Sequence, residues 1–193
     1  MEESMKSPRM ENIYITVLLI LGATIFCSCS TLGSSIPSGY TQYGTETSNL
    51  YIRNDEFKNV SFIQHKYFFN IFIDHPISVY IAKTQSAKLL RAVFSYDGSD
   101  WIFFENAIII NNSGERLART FKSYDKNTDV GSGGHVYESI DIVLTDAEVS
   151  QLMKLLEAGN VKIRLSGKYY KEYSLNEDYI NALMEILRLY IGM

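Results

Sequence analysis

The sequence predicts an α+β domain, with an antiparallel β meander or sheet and two C-terminal helices packed on one of its faces. Apolar, β-branched and aromatic segments separated by turn residues run from Asn49 to Thr145, and this turn spacing favours antiparallel strands over βαβ units. The last third contains two stretches in which apolar residues recur at helical spacing. A two-sheet β-sandwich that carries the helices is the alternative arrangement.

The strand segments follow one another through the first two thirds of the body. Residues 60–73 (VSFIQHKYFFNIFI) are the densest in aromatic side chains, and we expect them in the core because they would promote aggregation if exposed. SVYIAK and KLLRAVFSY come next, and the Asp97-Gly98 step predicts a turn into WIFFENAIII. NNSGE predicts a hairpin into RLARTFKSY, and a polar loop then leads into HVYESIDIVLT.

Two capping signals introduce the predicted helices. Thr145 and Glu148 form a Thr-x-x-Glu capping box, and Gly159 ends the first helix. NVKIRLSG then predicts a strand with one apolar and one basic face, and Ser174 with Glu177 forms a second capping box. We expect the apolar stripes in the core rather than in a partner groove, and they consist of Val149, Leu152, Met153 and Leu156 in the first helix and Ile180, Leu183, Met184, Leu187 and Ile191 in the second.

Composition and charge narrow the function classes. The chain has 193 residues, a length that predicts a single domain. Hydrophobic residues make up 46% and charged residues 21%, which is typical of a folded domain. The net charge is −4, and no Lys/Arg block is present in the sequence. These features argue against a nucleic-acid partner and against a membrane surface held by basic residues.

The N-terminus predicts export. Residues 13–26 (IYITVLLILGATIF) are apolar and uncharged, but they are shorter than the roughly 20 residues that a membrane-spanning helix needs. Lys6 and Arg9 precede this run, as in the n-region of a signal peptide. The only two cysteines of the chain, Cys27 and Cys29, follow it directly.

The stretch Phe26-Cys27-Ser28-Cys29 resembles a bacterial lipobox, in which a large apolar residue and two small ones precede the lipidated cysteine. The resemblance implies a diacylglyceryl group on Cys29, cleavage before it and a membrane partner through the lipid anchor. It departs from the usual pattern at Phe26, where Leu is common, and at Cys27. An uncleaved anchor and an ordinary secretory signal are the alternatives.

The resulting domain organisation is a lipoprotein signal peptide over 1–28, a flexible tether over 29–48 and a single α+β domain over 49–193. Ser, Thr and Gly dominate the tether, as expected for a flexible linker. Ser30 follows the lipidated position where some bacteria place an Asp for inner-membrane retention, which favours the outer membrane. The body is reminiscent of uncharacterised bacterial envelope domains.

One stretch of the body has the spacing of a metal site. Asp125, Asn127 and Asp129 place oxygen ligands on alternate residues, as in a calcium loop. Val130 and Val136 stand where an EF-hand has its glycine and its bidentate glutamate. A loop between two strands, in which Asn, Asp and Gly serve turn chemistry, is the simpler interpretation.

A second stretch, GKYYKEY, is the best candidate binding surface. Lys168, Tyr169, Tyr170 and Tyr173 alternate aromatic rings with charge, and such rings can contact sugars or peptides. A solvated edge strand is the simpler explanation of the same pattern.

Neither the histidines nor the carboxylates form a recognisable catalytic set. His65, His75 and His135 have no metal-ligand spacing, although His135 lies close in sequence to Asp129. We therefore expect structural roles for all three.

Two carboxylate patterns bear on acid–base chemistry. Glu138 and Asp141 are three residues apart on one strand, so we expect them to face opposite sides, which argues against their acting as a pair. Glu105 interrupts an apolar segment and marks a bulge, a sheet edge or a site.

These observations predict a non-enzymatic envelope lipoprotein whose tethered domain binds an envelope protein or a glycan, without a cofactor. An envelope hydrolase or metal-dependent enzyme that uses the 125–135 loop is the alternative. A structural spacer without a ligand is a third possibility.

Overall fold

The computed structural model describes residues 35–70, 74–122 and 125–193. Within this part of the chain, eleven strands form two sheets, and every strand pairing is antiparallel. The predicted α+β class is confirmed, and the two-sheet arrangement is the one that the sequence offered as an alternative.

Sheet I contains seven strands, numbered in chain order with those of sheet II. Its strands are β1 (Thr41–Gln42), β2 (Leu50–Asp55), β3 (Val60–His65), β4 (Ile77–Lys83), β5 (Lys88–Gly98), β8 (Lys126–Val130) and β9 (Val136–Val143). Their spatial order is β1-β2-β3-β4-β5-β9-β8. The polar loop predicted before β9 therefore contains a strand, β8, which pairs with β9 along its whole length.

Sheet II contains four strands in the order β11-β10-β6-β7. They are β6 (Asn106–Ile110), β7 (Arg116–Thr120), β10 (Lys162–Ser166) and β11 (Tyr170–Ser174). The chain leaves sheet I after β5, forms the β6–β7 hairpin, returns for β8 and β9, and leaves again for β10 and β11. The β6–β10 pairing holds the two hairpins of sheet II together.

The described ranges contain two α-helices, α1 (Asp146–Glu157) and α2 (Glu177–Gly192). The capping box predicted at Thr145 and Glu148 is present in both of its hydrogen bonds. The second predicted box is wrong: Asn176 caps α2 by accepting from the backbone N–H of Tyr179, while Ser174 ends β11. Asn and Ser are equally favourable at the N-cap position. Because Ser174 is paired with Lys162 in the sheet, the helix begins after Asn176 instead.

The core lies between the inner faces of the sheets. In β4 and β5 the alternate residues that point inward are buried, and they are Ile77, Val79, Ile81, Leu90, Ala92 and Phe94. Helix α2 packs against β3 and β4 on this face, whereas α1 contacts α2 and β7. The outward residues of β4 and β5, such as Ser78 and Ser95, remain half-buried on the outer face of sheet I.

The folded domain begins before Asn49. Strand β1 pairs Thr41 with Ile52, and the hydroxyl of Tyr40 donates to Gln64 at 2.7 Å. The last part of the predicted tether therefore lies against the sheet. The signal peptide and Cys29 lie outside the described residues. No helix in the described part of the chain has the length and hydropathy to cross a bilayer.

A buried carboxylate of sheet I holds the segment that leads from sheet I to sheet II. Glu138 of β9 is fully buried, and its oxygens accept from the backbone N–H groups of Ile102 (2.8 Å), Phe103 (2.8 Å) and Phe104 (3.0 Å). The ammonium of Lys126 lies 3.1 Å from the same carboxylate. Three successive N–H groups that converge on one anion form a nest, which here is filled by the protein itself.

This nest corrects the predicted strand WIFFENAIII. The strand begins only at Asn106, because N–H groups directed at a carboxylate cannot join a sheet ladder. Phe103 adopts a positive φ of 53°, which turns the chain around Glu138. Glu105 lies on the exposed side just before β6, where its backbone bonds to Ser166 and Phe121.

Candidate functional site

A cleft of about 350 Å³ opens on sheet I where β4 begins and β5 ends. We call it the His75–Tyr173 cleft, and its lining residues are Phe68, Asn70, Asp74, His75, Ser78, Val93, Ser95, Asp97, Tyr137 and Tyr173. Its volume falls near the lower end of the range of small-molecule pockets, roughly 300–1,000 Å³.

The outer face of sheet I forms the floor of the cleft. Period-two alternation in β5 buries Phe94 and turns Val93 and Ser95 outward. The hydroxyl of Ser95 donates to the His75 carbonyl at 2.5 Å, and the Ser95 N–H donates to the Pro76 carbonyl at 3.3 Å. These two bonds fix the segment that carries His75 against β5.

His75 presents an unused hydrogen-bond acceptor. Its Nε2 lies 2.9 Å from the Asn70 carbonyl, which can only accept, so Nε2 carries the proton. Nδ1 is buried and has no partner among the described residues. Burial lowers the pKa of His75 below 6.5, against the raising effects of the Asn70 carbonyl and Asp74. The ring is therefore neutral at pH 7, with a free lone pair on Nδ1.

Tyr173 presents an unused hydroxyl. Its strand, β11, pairs with β10, and Tyr173 is the pairing partner of the buried Ile163 on the inner face of sheet II. The hydroxyl is buried without a partner among the described residues. Burial raises the pKa of Tyr173, and the charges of Asp74 and Asp97 add to the effect. The phenol is therefore neutral.

Two buried polar atoms without partners in one cleft are unusual. Each such atom costs about 1–3 kcal/mol, and native structures contain few of them. Tyr179, which touches His75 at a ring distance of 5.8 Å, shows the ordinary case. Its hydroxyl donates to the carbonyl of Ile77 and accepts from the N–H of Ile77. The cleft therefore keeps two polar atoms without hydrogen-bond partners, whereas the hydroxyl of the neighbouring Tyr179 has both of its partners.

Aromatic rings and carboxylates surround these atoms. Phe68 meets His75 edge-on at 5.5 Å between ring centroids, and Tyr137 is 41% exposed at the rim. Asp74 and Asp97 contribute the charges, and the described lining residues include neither lysine nor arginine. Asp97 lies 3.3 Å from His135, but both side chains are more than half exposed. The environment is aromatic, rich in acceptors and negative.

The predicted binding surface is divided by the structure. Tyr169 and Tyr170 are 53% and 65% exposed at the β10–β11 hairpin, and the Lys168 ammonium lies 5.3 Å from the Tyr169 ring centre. Tyr173, predicted with them, points instead to the His75–Tyr173 cleft. Alternation along β11 places Tyr170 and Tyr173 on opposite faces.

A groove of about 360 Å³ lies on the outer face of sheet II, beside the hairpin. Ile108 and Ile110 form its apolar part, and Arg116 and Lys162 stand at its sides. Arg164 is paired with Glu172 and lies 5.1 Å from the ring centre of Tyr170. The charges of Arg164 and Glu172 thus satisfy each other at the surface, in contrast to the unpartnered polar atoms of the cleft.

The predicted calcium ligands lie along an extended strand or beside it. Asn127 and Asp129 belong to β8, and Asp125 directly precedes it. Alternate residues of a strand are about 6.5–7 Å apart, so the three side chains do not converge as they would in a loop. Asp129 accepts from the neighbouring Val130 N–H at 2.8 Å. No cluster of three or more His, Cys, Asp or Glu side chains suited to a metal occurs in the described ranges.

The other predicted residues have partners elsewhere. His135 faces Asp97 rather than Asp129. His65 is buried, with Nε2 3.1 Å from Glu185, and its Nδ1 accepts from the Tyr67 N–H to cap a short 3₁₀ turn. Burial lowers the pKa of His65, against the raising effect of Glu185.

Glu138 and Asp141 do face opposite sides of β9, as predicted. Glu138 lies in the core, while Asp141 binds Arg91 at 3.0 Å and accepts from the Tyr80 hydroxyl at 2.6 Å on the outer face of sheet I. The two carboxylates therefore belong to separate networks.

Sequence reasoning missed the cleft as a unit. His75, Ser95 and Asp97 come from distant strand ends, and no spacing links them to Tyr173. The one available signal was the alternation in β11, which separates Tyr173 from Tyr170. The fold and the cleft define an α+β domain with an open, aromatic-walled pocket. No family model, curated protein or solved structure matches this chain.

Proposed function

We propose that this protein is a non-enzymatic, lipid-anchored binding protein of the bacterial cell envelope, tethered through Cys29, and that the His75–Tyr173 cleft is its ligand site. The observation that carries the binding assignment is the pair of buried, unpartnered polar atoms, His75 Nδ1 and the Tyr173 hydroxyl, in a cleft of small-molecule size. The anchor rests on the lipobox resemblance, and the outer membrane is the membrane that Ser30 favours.

The arrangement of groups supports binding rather than acyl-transfer catalysis. The hydroxyl of Ser95 forms a hydrogen bond with His75, but it donates to the backbone carbonyl of His75 and not to the ring. A serine nucleophile needs its base within hydrogen-bond reach. His75 Nε2 is occupied by the Asn70 carbonyl, and no carboxylate accepts from it. Nδ1 is thus the ring nitrogen that is left without a hydrogen-bond partner among the described residues.

The binding assignment is tested by filling the cleft. Val93 lines its floor, so Val93→Trp places an indole in the space that a ligand needs. In saturation-transfer NMR with a fragment library, we expect the fragments that bind wild-type protein to lose their signal with Val93→Trp. Tyr170→Ala, which removes an exposed hairpin ring, is the matched control and keeps the signal. The opposite pattern would assign binding to the hairpin.

The anchor is tested separately by the intact mass of the protein isolated from its native membrane. We expect the mass of residues 29–193 plus acyl groups, and loss of the acyl mass in Cys29→Ala. An unlipidated mass that still contains residues 1–28 would exclude the anchor and leave the cleft assignment standing.

A further inference from the structure

We propose that the His75–Tyr173 cleft binds a small ligand through an ammonium group, whose N–H groups donate to His75 Nδ1 and to the Tyr173 hydroxyl oxygen. This inference rests on the proposed function and adds the chemical class of the ligand. Four observations carry it, namely the proton position on His75, the unpartnered hydroxyl of Tyr173, the charge of the rim and the aromatic walls.

The proton position on His75 decides what the ligand must supply. Nε2 donates to the Asn70 carbonyl at 2.9 Å, so Nδ1 offers a lone pair and nothing else. A ligand atom that meets Nδ1 must therefore be a donor. Anions and carbonyl groups cannot serve there, whereas an ammonium or a hydroxyl can.

The Tyr173 hydroxyl adds a second acceptor in the same cleft. A phenolic oxygen can accept a hydrogen bond while it keeps its own proton, which remains available to a second atom of the ligand or to water. An ammonium carries up to three donors on one atom and can serve both acceptors together. A ligand hydroxyl can also serve both atoms, because it can donate to Nδ1 and accept the proton of Tyr173, so the charge of the rim decides between the two classes.

The negative charge of the rim favours an ammonium over a neutral hydrogen-bond donor. Asp74 and Asp97 lie close enough to Tyr173 that both charges raise its pKa. The described lining residues contain no lysine or arginine to offset them. His135 lies 3.3 Å from Asp97, and its side chain is 65% exposed. A cation entering the cleft therefore meets two carboxylates and no fixed positive charge among these residues.

The walls are suited to the same ligand class. Phe68, Tyr137 and Tyr173 contribute aromatic rings to the lining. Ring faces attract cations within about 6 Å of the centroid, most strongly when the cation is partly desolvated. A cleft of about 350 Å³ holds one small molecule rather than a chain of residues.

The test uses three probes that differ only at one group: benzylamine, benzyl alcohol and benzyltrimethylammonium. Binding is measured by isothermal titration calorimetry with the purified full-length protein at about pH 7.5, above the usual histidine pKa. We expect benzylamine to bind at one site, about tenfold more tightly than either other probe. Benzyl alcohol lacks the charge, and the quaternary probe has the charge but no N–H to donate.

Two variants tie this preference to the cleft. Tyr173→Phe removes only the hydroxyl, and we expect about fivefold weaker benzylamine binding. The double variant Asp74→Asn, Asp97→Asn removes the rim charge, and we expect about tenfold weaker benzylamine binding with benzyl alcohol unchanged. Both aspartates are exposed, so the fold tolerates the change. Glu46→Gln with Glu56→Gln removes the same charge from an exposed region outside the cleft and leaves benzylamine binding unchanged.

Three results would overturn the proposal. The first is equal binding of benzylamine and benzyl alcohol, the second is no saturable benzylamine binding, and the third is equal weakening in the two charge variants. Equal binding of both probes that disappears in Val93→Trp would reject the ammonium class and keep the cleft as the ligand site. The two proposals therefore fail in distinguishable ways.

Discussion

At the scale of single residues, two tyrosines that lie close together have opposite hydrogen-bonding states. Tyr173 has an unused hydroxyl, whereas the hydroxyl of Tyr179 is satisfied twice by Ile77. A site that keeps polar atoms unsatisfied until a ligand arrives is less stable than it would be without them. The cleft assignment therefore makes a prediction about stability as well as about binding.

We expect Tyr173→Phe to raise the free energy of unfolding of the ligand-free protein by about 1 kcal/mol. The change removes a buried, unpaired hydroxyl and keeps the ring. Tyr179→Phe is the matched control and should lower the free energy of unfolding by about 1–3 kcal/mol, because it leaves Ile77 without its partner. Urea titration measures both. A loss of stability in Tyr173→Phe would show that its hydroxyl is already satisfied.

We expect Glu138→Gln to lower the free energy of unfolding by about 3–5 kcal/mol. The change removes the charge that three N–H groups and Lys126 share, and it leaves a buried ammonium without a partner. Glu172→Gln, which breaks a half-exposed pair with Arg164, is the control and should cost less than about 1 kcal/mol. Equal effects in the two variants would contradict the role of Glu138 in holding the segment that connects the two sheets.

At the scale of elements, local patterns predict single strands and helices well and their assembly less well. The alternation in β10 and the Thr145–Glu148 box depend on neighbouring residues, so the sequence contains them in full. The division of the strands between two sheets depends on pairings such as that of β6 with β10, which period-two alternation does not specify. The predicted strand over 101–110 failed in its first half because Glu138, far along the chain, takes those N–H groups.

The candidate site follows the same rule. Tyr173 was selected for its sequence neighbours Lys168 and Tyr170, but the strand turns it to the other face. His75 and Tyr173 line one cleft only because the fold brings the start of β4 close to β11. Residues whose roles depend on one strand could be predicted from the sequence, and residues whose roles depend on contact between sheets could not.

We expect Gly167→Ala to be among the most damaging small substitutions in the chain, at about 3 kcal/mol or more of lost stability. A Cβ at this position would lie 1.8 Å from the carbonyl oxygen of Phe103, within a rigid backbone segment. Gly192→Ala, at the end of α2, has open space around it and should change stability by less than about 0.5 kcal/mol. Thermal unfolding of both variants measures the difference. A mild effect at Gly167 would contradict the close approach of the two segments.

At the scale of the whole molecule, the ionisable groups predict a stability that falls at both ends of the pH range. The pKa values of His65 and His75 are lowered below 6.5, chiefly by burial. Their stabilising contribution is therefore complete above pH 6.5 and is lost as the pH falls below that value. Burial raises the pKa of Tyr80 from 10.0 to about 12, and its hydrogen bond to Asp141 adds to the effect, so stability is lost as the pH rises above 10.0.

This dependence is measured as the urea concentration at the midpoint of unfolding, at a series of pH values between about pH 5 and pH 11. We expect the midpoint concentration to be highest between pH 6.5 and pH 10.0. NMR titration of the ring protons of His65 and His75 tests the acidic limb directly. Midpoints below 6.5 for both rings are expected from their burial. A midpoint at or above 6.5 for either ring would contradict the environment described for it.

The most direct test of the central claim, that the His75–Tyr173 cleft receives a ligand, is ¹⁵N NMR of the His75 ring with and without benzylamine. Without the probe, we expect Nδ1 to give the resonance of an unprotonated nitrogen that accepts no hydrogen bond. With benzylamine, the resonance should move in the direction of a nitrogen that accepts one, while Nε2 stays protonated. An Nδ1 resonance that does not move while signals of Tyr169 and Tyr170 do would contradict the claim and place the binding surface on the hairpin.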